Sequence, residues 1–391
     1  MFQNLEILPP DPILGLMQAF AQDDRPDKID LGVGVYQDDS GCTPIMGAVL
    51  DAEARLLESE GSKSYLAPAG ADAFNRGIQQ LLLGDDSGSR YGERLTSIQT
   101  PGGCGALRIG AELIQRSQPG TRVWVSDPTW ANHMPLLGGA GLSIETFPYY
   151  DFAGHRLDFD AMMASLQRAG AGDMVLLHGC CHNPCGADLH LEQWRAVTDL
   201  ALERGFTPFI DVAYQGLGAG LEEDAVGWRW MAERVPEMLI ASSCSKNFGL
   251  YRERTGTLVM LAESGQAAMA SKSQALSAAR QSYSMPPSHG ALIAGMILED
   301  VALRAAWQSE LEQMRGRIVQ MREALVEQLG TDFGFIRQEY GMFSFLGISP
   351  EQLSRLREEY GIYMVDSTRI NLAGLNAGNL AYFVGAMRAV L

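Results

Sequence analysis

The sequence predicts an α/β fold with a largely parallel sheet, joined to a smaller α+β region. Three observations carry this prediction. Short apolar runs recur, most of them some 25–45 residues apart with helix-like stretches between, which is the pattern of βαβ units. Those runs end in polar or Gly-rich turns (QTPGG, SDPTW, HGCCHNP, IDVAYQG, SSCSKN), and open α/β sheets bind ligands at the carboxyl ends of their strands. After about residue 300 the pattern changes to a long Arg/Glu-laced helix followed by short mixed segments. At roughly 100–200 residues per domain, the 391 residues suffice for two or three domains.

In chain order, the first forty residues are rich in Pro and Asp, and GVGVYQDDSGCTP reads as a strand and turn. Residues 45–59 have helical spacing. Strands are predicted at 96–100, 122–126, 174–178, 208–212, 239–243 and 256–261, with helices such as 160–168 and 191–204 between them. A helix is predicted over 302–329, with apolar spacing at Leu311, Met314, Ile318, Met321 and Leu325. FGFI, MFSFLG, a helix at 350–360, GIYMV and RINLAG then suggest the smaller α+β domain.

Composition narrows the function. Lys and Arg total 30 against 47 Asp and Glu, a formal charge of −17 without a basic tract, which argues against nucleic acid or an anionic membrane as partner. No apolar run approaches the roughly 18 residues of a membrane span, and the start lacks the basic region of a signal peptide. A soluble, cytoplasmic enzyme is expected. Of six cysteines, three crowd into HGCCHNPC. A zinc site would need a second ligand pair, which does not follow. Cys180 and Cys181 on an extended strand would point to opposite faces, so no metal is expected.

The basic total is split into 26 arginines and four lysines (Lys28, Lys63, Lys246, Lys272). Lys246 follows an apolar strand, where a lysine in a cleft can have a depressed pKa and form a Schiff base with a carbonyl. A surface lysine on a loop fits the same spacing. Arg252 and Arg254, with Ser243 and Ser245, form a candidate phosphate cradle. QTPGGCGALR is a second, with the Gly103 and Cys104 amides at a helix start; a turn with glycines for geometry alone competes. It is not a dinucleotide fingerprint, because Arg108 stands where the third glycine belongs, and GK[ST] is absent. Asp211 ends an apolar strand with Tyr214 three residues on; a carboxylate facing a protonated ring nitrogen and a phenol near a ring oxygen would suit a pyridine cofactor. A metal ligand or helix N-cap is the alternative for Asp211 alone.

The runs IDLGVGVY, QTPGGCGALR, SDPTWANH, LLHGCCHNPCG, DVAYQG, SSCSKNFGLYRERTG, SYSMPP, GMFSFLG and TRINLAG occur in order across nearly the whole chain. Together they resemble the aspartate/aromatic amino acid aminotransferases, class I enzymes of fold type I that use pyridoxal 5′-phosphate. The resemblance implies a large domain with a mostly parallel seven-stranded sheet at 44–305, and a smaller α+β domain split between 1–43 (N-terminal arm and part of the small domain) and 306–391. It further implies a homodimer with active sites shared between subunits.

By the same resemblance, Lys246 would anchor the cofactor and move the reaction's proton, and Asp211 would keep the ring nitrogen protonated, oriented by His178. Tyr214 and Asn183 would bond the ring oxygen. Trp130 would stack on the ring, with His133 behind it. Gly103, Cys104, Ser243, Arg254 and the neighbouring subunit's counterpart of Tyr65 would hold the phosphate. Arg369 would pair with the substrate α-carboxylate, and Gly34 would line the mouth that the small domain closes. Without that context Trp130 reads as a core aromatic, Arg369 as a solvated strand charge, and both histidines as structural.

Arg280 matches the arginine that family members extend across the dimer to a distal carboxylate, which implies 2-oxoglutarate as acceptor. Met285 stands where aspartate-specific relatives often carry Asn, and an adaptable Met suits an aromatic ring. An aromatic aminotransferase (Tyr, Phe, Trp) that also takes aspartate and glutamate is therefore expected, working by a ping-pong mechanism. The alternatives are a strict aspartate aminotransferase, a β-lyase or decarboxylase of the same fold, and a NAD-dependent dehydrogenase. Three positions depart from the family pattern: Cys104 for Ser or Thr, Cys185 for Thr, and Ala131 for Pro.

Overall fold

The computed structural model describes residues 1–7 and 12–391; residues 8–11, within the opening run MFQNLEILPPDPILGLM, lie outside the described residues. The chain divides into two compact units. The larger comprises Pro44–Gly316 and Glu339–Gly341, the smaller Met1–Thr43, Arg317–Gln338 and Met342–Leu391.

The larger unit is built on a seven-stranded sheet: β1 (Leu95–Pro101), β2 (Arg122–Asp127), β3 (Ser143–Pro148), β4 (Met174–His178), β5 (Thr207–Val212), β6 (Met238–Ser243) and β7 (Thr255–Leu261). Their order across the sheet is β1-β7-β6-β5-β4-β2-β3. All neighbours are parallel except β7, which runs antiparallel to β1 and β6. β6 and β7 are buried at every position, so they read as continuous apolar runs rather than alternating ones, as expected where both faces are covered. The helix Gly102–Ser117 covers one face, its Ala106, Ile109 and Leu113 joining Ile98, Leu176, Phe209 and Leu258 in one core cluster. It lies so close that a Cβ on Gly110 would come 2.6 Å from Phe209 Cζ. Truncating Phe209 to Ala would cost about 3–5 kcal/mol, as for other buried aromatics.

In the smaller unit Ile29–Asp30 pairs in parallel with Ile362–Tyr363, and Phe343–Phe345 antiparallel with Arg369–Asn371. The helix Pro350–Tyr360 starts at a capping box made by Ser349 and Gln352 and stops at Gly361, which takes the left-handed conformation. Leu356, Ile362, Ile370, Phe383 and Met387 share its core.

The predicted helices at 302–329 and 350–360 form as Val301–Leu329 and Pro350–Tyr360. Three local readings need correction. GVGVYQ does not form a ladder; the strand is only Ile29–Asp30, and the following segment is held by Asn371 Nδ2, which donates to the Val33 and Val35 carbonyls at 2.7 Å each. FGFI lies in a 3₁₀ stretch, Thr331–Gln338. β3 was not expected, because as an edge strand it buries only one position well.

Candidate active site

The polar residues of the large unit gather at the carboxyl ends of β4, β5 and β6. The register sets His178 opposite Asp211 and Val212 opposite Ser242. Asp211 is buried, and its Oδ2 meets His133 Nε2 at 3.0 Å. His133 Nδ1 in turn meets Thr129 Oγ1 at 2.8 Å, and the same hydroxyl reaches His178 Nε2 at 3.1 Å. Burial pushes the Asp211 carboxyl upward, but the His133 hydrogen bond, with the charges of His133, His178 and Lys246, outweighs it and holds the group below its ordinary value. Burial and the adjacent His133 push His178 down to about 3, so His178 is neutral at pH 7. Among the described residues nothing donates to Asp211 Oδ1. Asp211 Oδ1 is therefore the side of the carboxylate that a charged donor can approach.

A second polar pocket forms where β1 turns into the helix Gly102–Ser117. Gly102 has φ +69°, and a Cβ there would come 2.6 Å from Arg254 Nη2. Only glycine allows the guanidinium to lie against this helix start. A Cβ on Gly103 would sit 3.2 Å from Ser243 Cβ, and Ser243 Oγ donates to Ser245 Oγ at 3.1 Å. Gly256 on β7 completes the close approach, since its Cβ would fall 2.4 Å from the Gly102 carbonyl carbon. Two hydroxyls, a guanidinium and the free amides of a helix N-terminus therefore converge, a donor set for a phosphate-sized anion.

Lys246 lies three residues past Ser243 in sequence, with Nζ 4.6 Å from the centroid of the buried Tyr214 ring. Trp130 meets His133 edge-on, ring centroids 5.3 Å apart. Asn183 is buried in the loop after β4, and Cys104 Sγ lies 4.0 Å from Asn132 Nδ2. Tyr65 is 90% exposed, and Arg280 is exposed with Nη1 donating to Ser284 Oγ. Neither joins the cluster within one chain. In the smaller unit Arg369 is buried, its Nη2 donating to the Gly32 carbonyl at 2.6 Å and its guanidinium 4.3 Å from the Phe343 ring centroid. Gly34 abuts the same ring: a Cβ there would be 2.9 Å from Phe343 Cζ.

The sequence pattern described as "Aminotransferase class I and II" matches residues 26–387. The chain belongs to this aminotransferase family. It is 48% identical to the aspartate aminotransferase of Salmonella typhi over 100% of both chains, and 48% identical to the aromatic-amino-acid aminotransferase of Paracoccus denitrificans over 99% of both. The structure of the aromatic-amino-acid aminotransferase from Burkholderia pseudomallei, covalently bound to pyridoxal phosphate, superposes with a TM-score of 0.98 at 43% identity, covering 100% of this chain and 99% of that one.

Two expectations about this aminotransferase's side chains are corrected. The residue bonded to Asp211 is His133; His178 acts one hydroxyl further away, through Thr129. The resemblance implied His178 as the residue orienting Asp211, but residues opposite one another across a ladder need not meet at their side-chain tips. Cys180 and Cys181 do not point apart either. Cys181 takes φ +51°, which ends the strand geometry and brings both thiols together.

Proposed function

We propose that this aminotransferase moves the amino group of an aromatic amino acid, and also of aspartate or glutamate, to 2-oxoglutarate through pyridoxal 5′-phosphate in two half-reactions. The observation that carries the cofactor assignment is the open Oδ1 of Asp211 at one end of the cluster, with the Gly102–Ser243–Arg254 pocket at the other. A protonated pyridine nitrogen fits the first and a phosphate the second. When bound, the cofactor supplies an aldehyde carbon that condenses with an amino group and an electron-poor ring that weakens the bonds at Cα.

The chain's own residues do the rest. Asp211, held ionised by His133, would keep the ring nitrogen protonated. Lys246 would anchor the cofactor's carbonyl carbon, and its Nζ would serve as the general base toward the substrate Cα proton. Tyr214 and Asn183 would donate to the ring oxygen, Trp130 would pack on the ring, and the Gly103 and Cys104 amides, Ser243 and Arg254 would hold the phosphate. Arg369 binds the substrate α-carboxylate as a fork, a geometry lysine lacks, beside Gly34.

Tyr65 and Arg280, both exposed on the single chain, serve the neighbouring subunit of a homodimer, Arg280 toward the distal carboxylate. Six free cysteines support a reducing, cytoplasmic setting. Among the described residues no helix is long and apolar enough to cross a membrane. The aromatic preference rests on Met285, an adaptable apolar side chain whose sulfur accepts the Leu66 N–H at 3.1 Å. Strict aspartate specificity is the second reading, favoured by relatives named aspartate aminotransferase at the same identity. Comparing kcat/KM for phenylalanine and aspartate decides between them: values of similar size support the broad assignment, and a phenylalanine value far below that for aspartate overturns it.

A further inference from the structure

The two adjacent thiols Cys180 and Cys181 have no part in the reaction above. Their sulfurs and a carboxylate oxygen of Asp224 all lie within 4.8 Å of one another, and all three residues are buried. The arrangement is built rather than incidental. Cys181 holds a left-handed φ of +51°, a conformation that disfavours residues with a Cβ. Its N–H and that of His182 are clamped by the Asp188 carboxylate at 2.6 and 2.8 Å. Without that turn the neighbouring side chains of an extended strand would diverge.

We infer that this pair is a second binding site, for a soft cation satisfied by two thiolates. Thiolates select soft ions, and tetrahedral zinc would need four donors. Asp224 already accepts from the amides of Gly216, Gly218, Ala219 and Gly220, so it lends charge more readily than a full ligand bond. An ion of low coordination number needs no more than the two sulfurs. A cavity of about 300 Å³, lined by Cys180, Asp188, His190, Glu223 and Asp224, reaches the pair from the Cys180 side, and its carboxylates draw a cation toward that thiol. On binding, two S–H bonds break and two sulfur–metal bonds form, and two protons leave to solvent.

The test is a titration of the holoenzyme with copper(I) buffered by bicinchoninate, an ion content with two thiolates, following the ultraviolet thiolate-to-metal band and proton release. Saturation at one ion per chain is expected, with loss of the band in Cys180→Ser and in Cys181→Ser and its retention in Cys42→Ser, which removes an exposed thiol. No saturable band in the wild type, or one that survives Cys180→Ser, overturns the site. Should either serine variant not fold, phenylarsine oxide on the wild type serves instead, forming two S–As bonds with loss of one water. Peptide mapping must then place the arsenic across Cys180 and Cys181; arsenic on any other pair of cysteines, or none bound, overturns it.

Discussion

Two carboxylates are buried at opposite ends of the same sheet, and their surroundings differ in one respect. Asp173, before the start of β4, accepts from Arg122 Nε at 3.0 Å and Nη2 at 2.6 Å, from Trp124 Nε1 at 3.2 Å and from the Gly170 amide at 3.1 Å. Both of its oxygens are used. Asp211, near the end of β5, uses only Oδ2. A protein closes a structural carboxylate with donors, because an unmet buried acceptor costs about 1–3 kcal/mol. One that is left half open at a strand end, beside a lysine and an anion pocket, is kept for a ligand.

If that distinction holds, substitutions at the open end cost activity and those at the closed end cost stability. The largest effect is expected from Lys246→Ala, which removes both anchor and base and should lower kcat by about 10⁴-fold, at the upper end for general acid–base groups. Asp211→Ala should follow with a fall of about 10³-fold, since the ring nitrogen loses its partner. Single-turnover kinetics on both variants checks this; an Asp211→Ala enzyme with near wild-type kcat would break the comparison. Arg369→Ala should cost about 10²-fold in kcat/KM with aspartate and phenylalanine alike, as for a truncated buried charge pair worth at least about 2–3 kcal/mol. An effect on one substrate only would move Arg369 from the shared α-carboxylate to a side-chain contact.

Asp173→Asn should leave kcat near the wild-type value and lower unfolding stability by about 1–3 kcal/mol in urea. The lower part of that range is expected, because the Arg122 side chain is 45% exposed and solvent screens the pair. The smallest effect concerns pH. Asp211 lies below its unfolded value, so its ionised form contributes stability above that value and loses it as pH falls through the folded one. His133→Phe removes the hydrogen bond and leaves burial, which raises the folded value. With its folded value no longer held below the unfolded one, Asp211 no longer costs the fold stability as pH falls, so the acid-side fall in thermal stability of the apoprotein should be shallower than in the wild type; an equally steep or steeper fall would contradict the pairing.

Much of the larger unit is legible in the sequence because its strands are buried on both faces. Apolar runs bounded by polar turns mark β1, β2 and β4 to β7. β3 is not legible, since an exposed edge strand leaves no continuous apolar signature. The antiparallel direction of β7 is hidden as well: direction is set by the path of residues 244–254, which carry no periodicity. Among site residues, Lys246, Asp211 and Arg254 are marked by placing charge after apolar strands. The His133–Thr129–His178 chain is not, because it depends on where a short helix, His133–Gly138, sets its first residue against β5. The left-handed turn at Cys181 is equally silent, as cysteine carries no preference for it.

In the proposed reaction the strand-end cluster holds a carbonyl cofactor on one particular amine. With only four lysines in the chain it can be tested without ambiguity. The holoenzyme, loaded with pyridoxal 5′-phosphate, is reduced with borohydride, digested and mapped by mass spectrometry. The phosphopyridoxyl group is expected on Lys246 and nowhere else; label on Lys28, Lys63 or Lys272 with Lys246 unmodified, or no label at all, would contradict the assignment of Lys246.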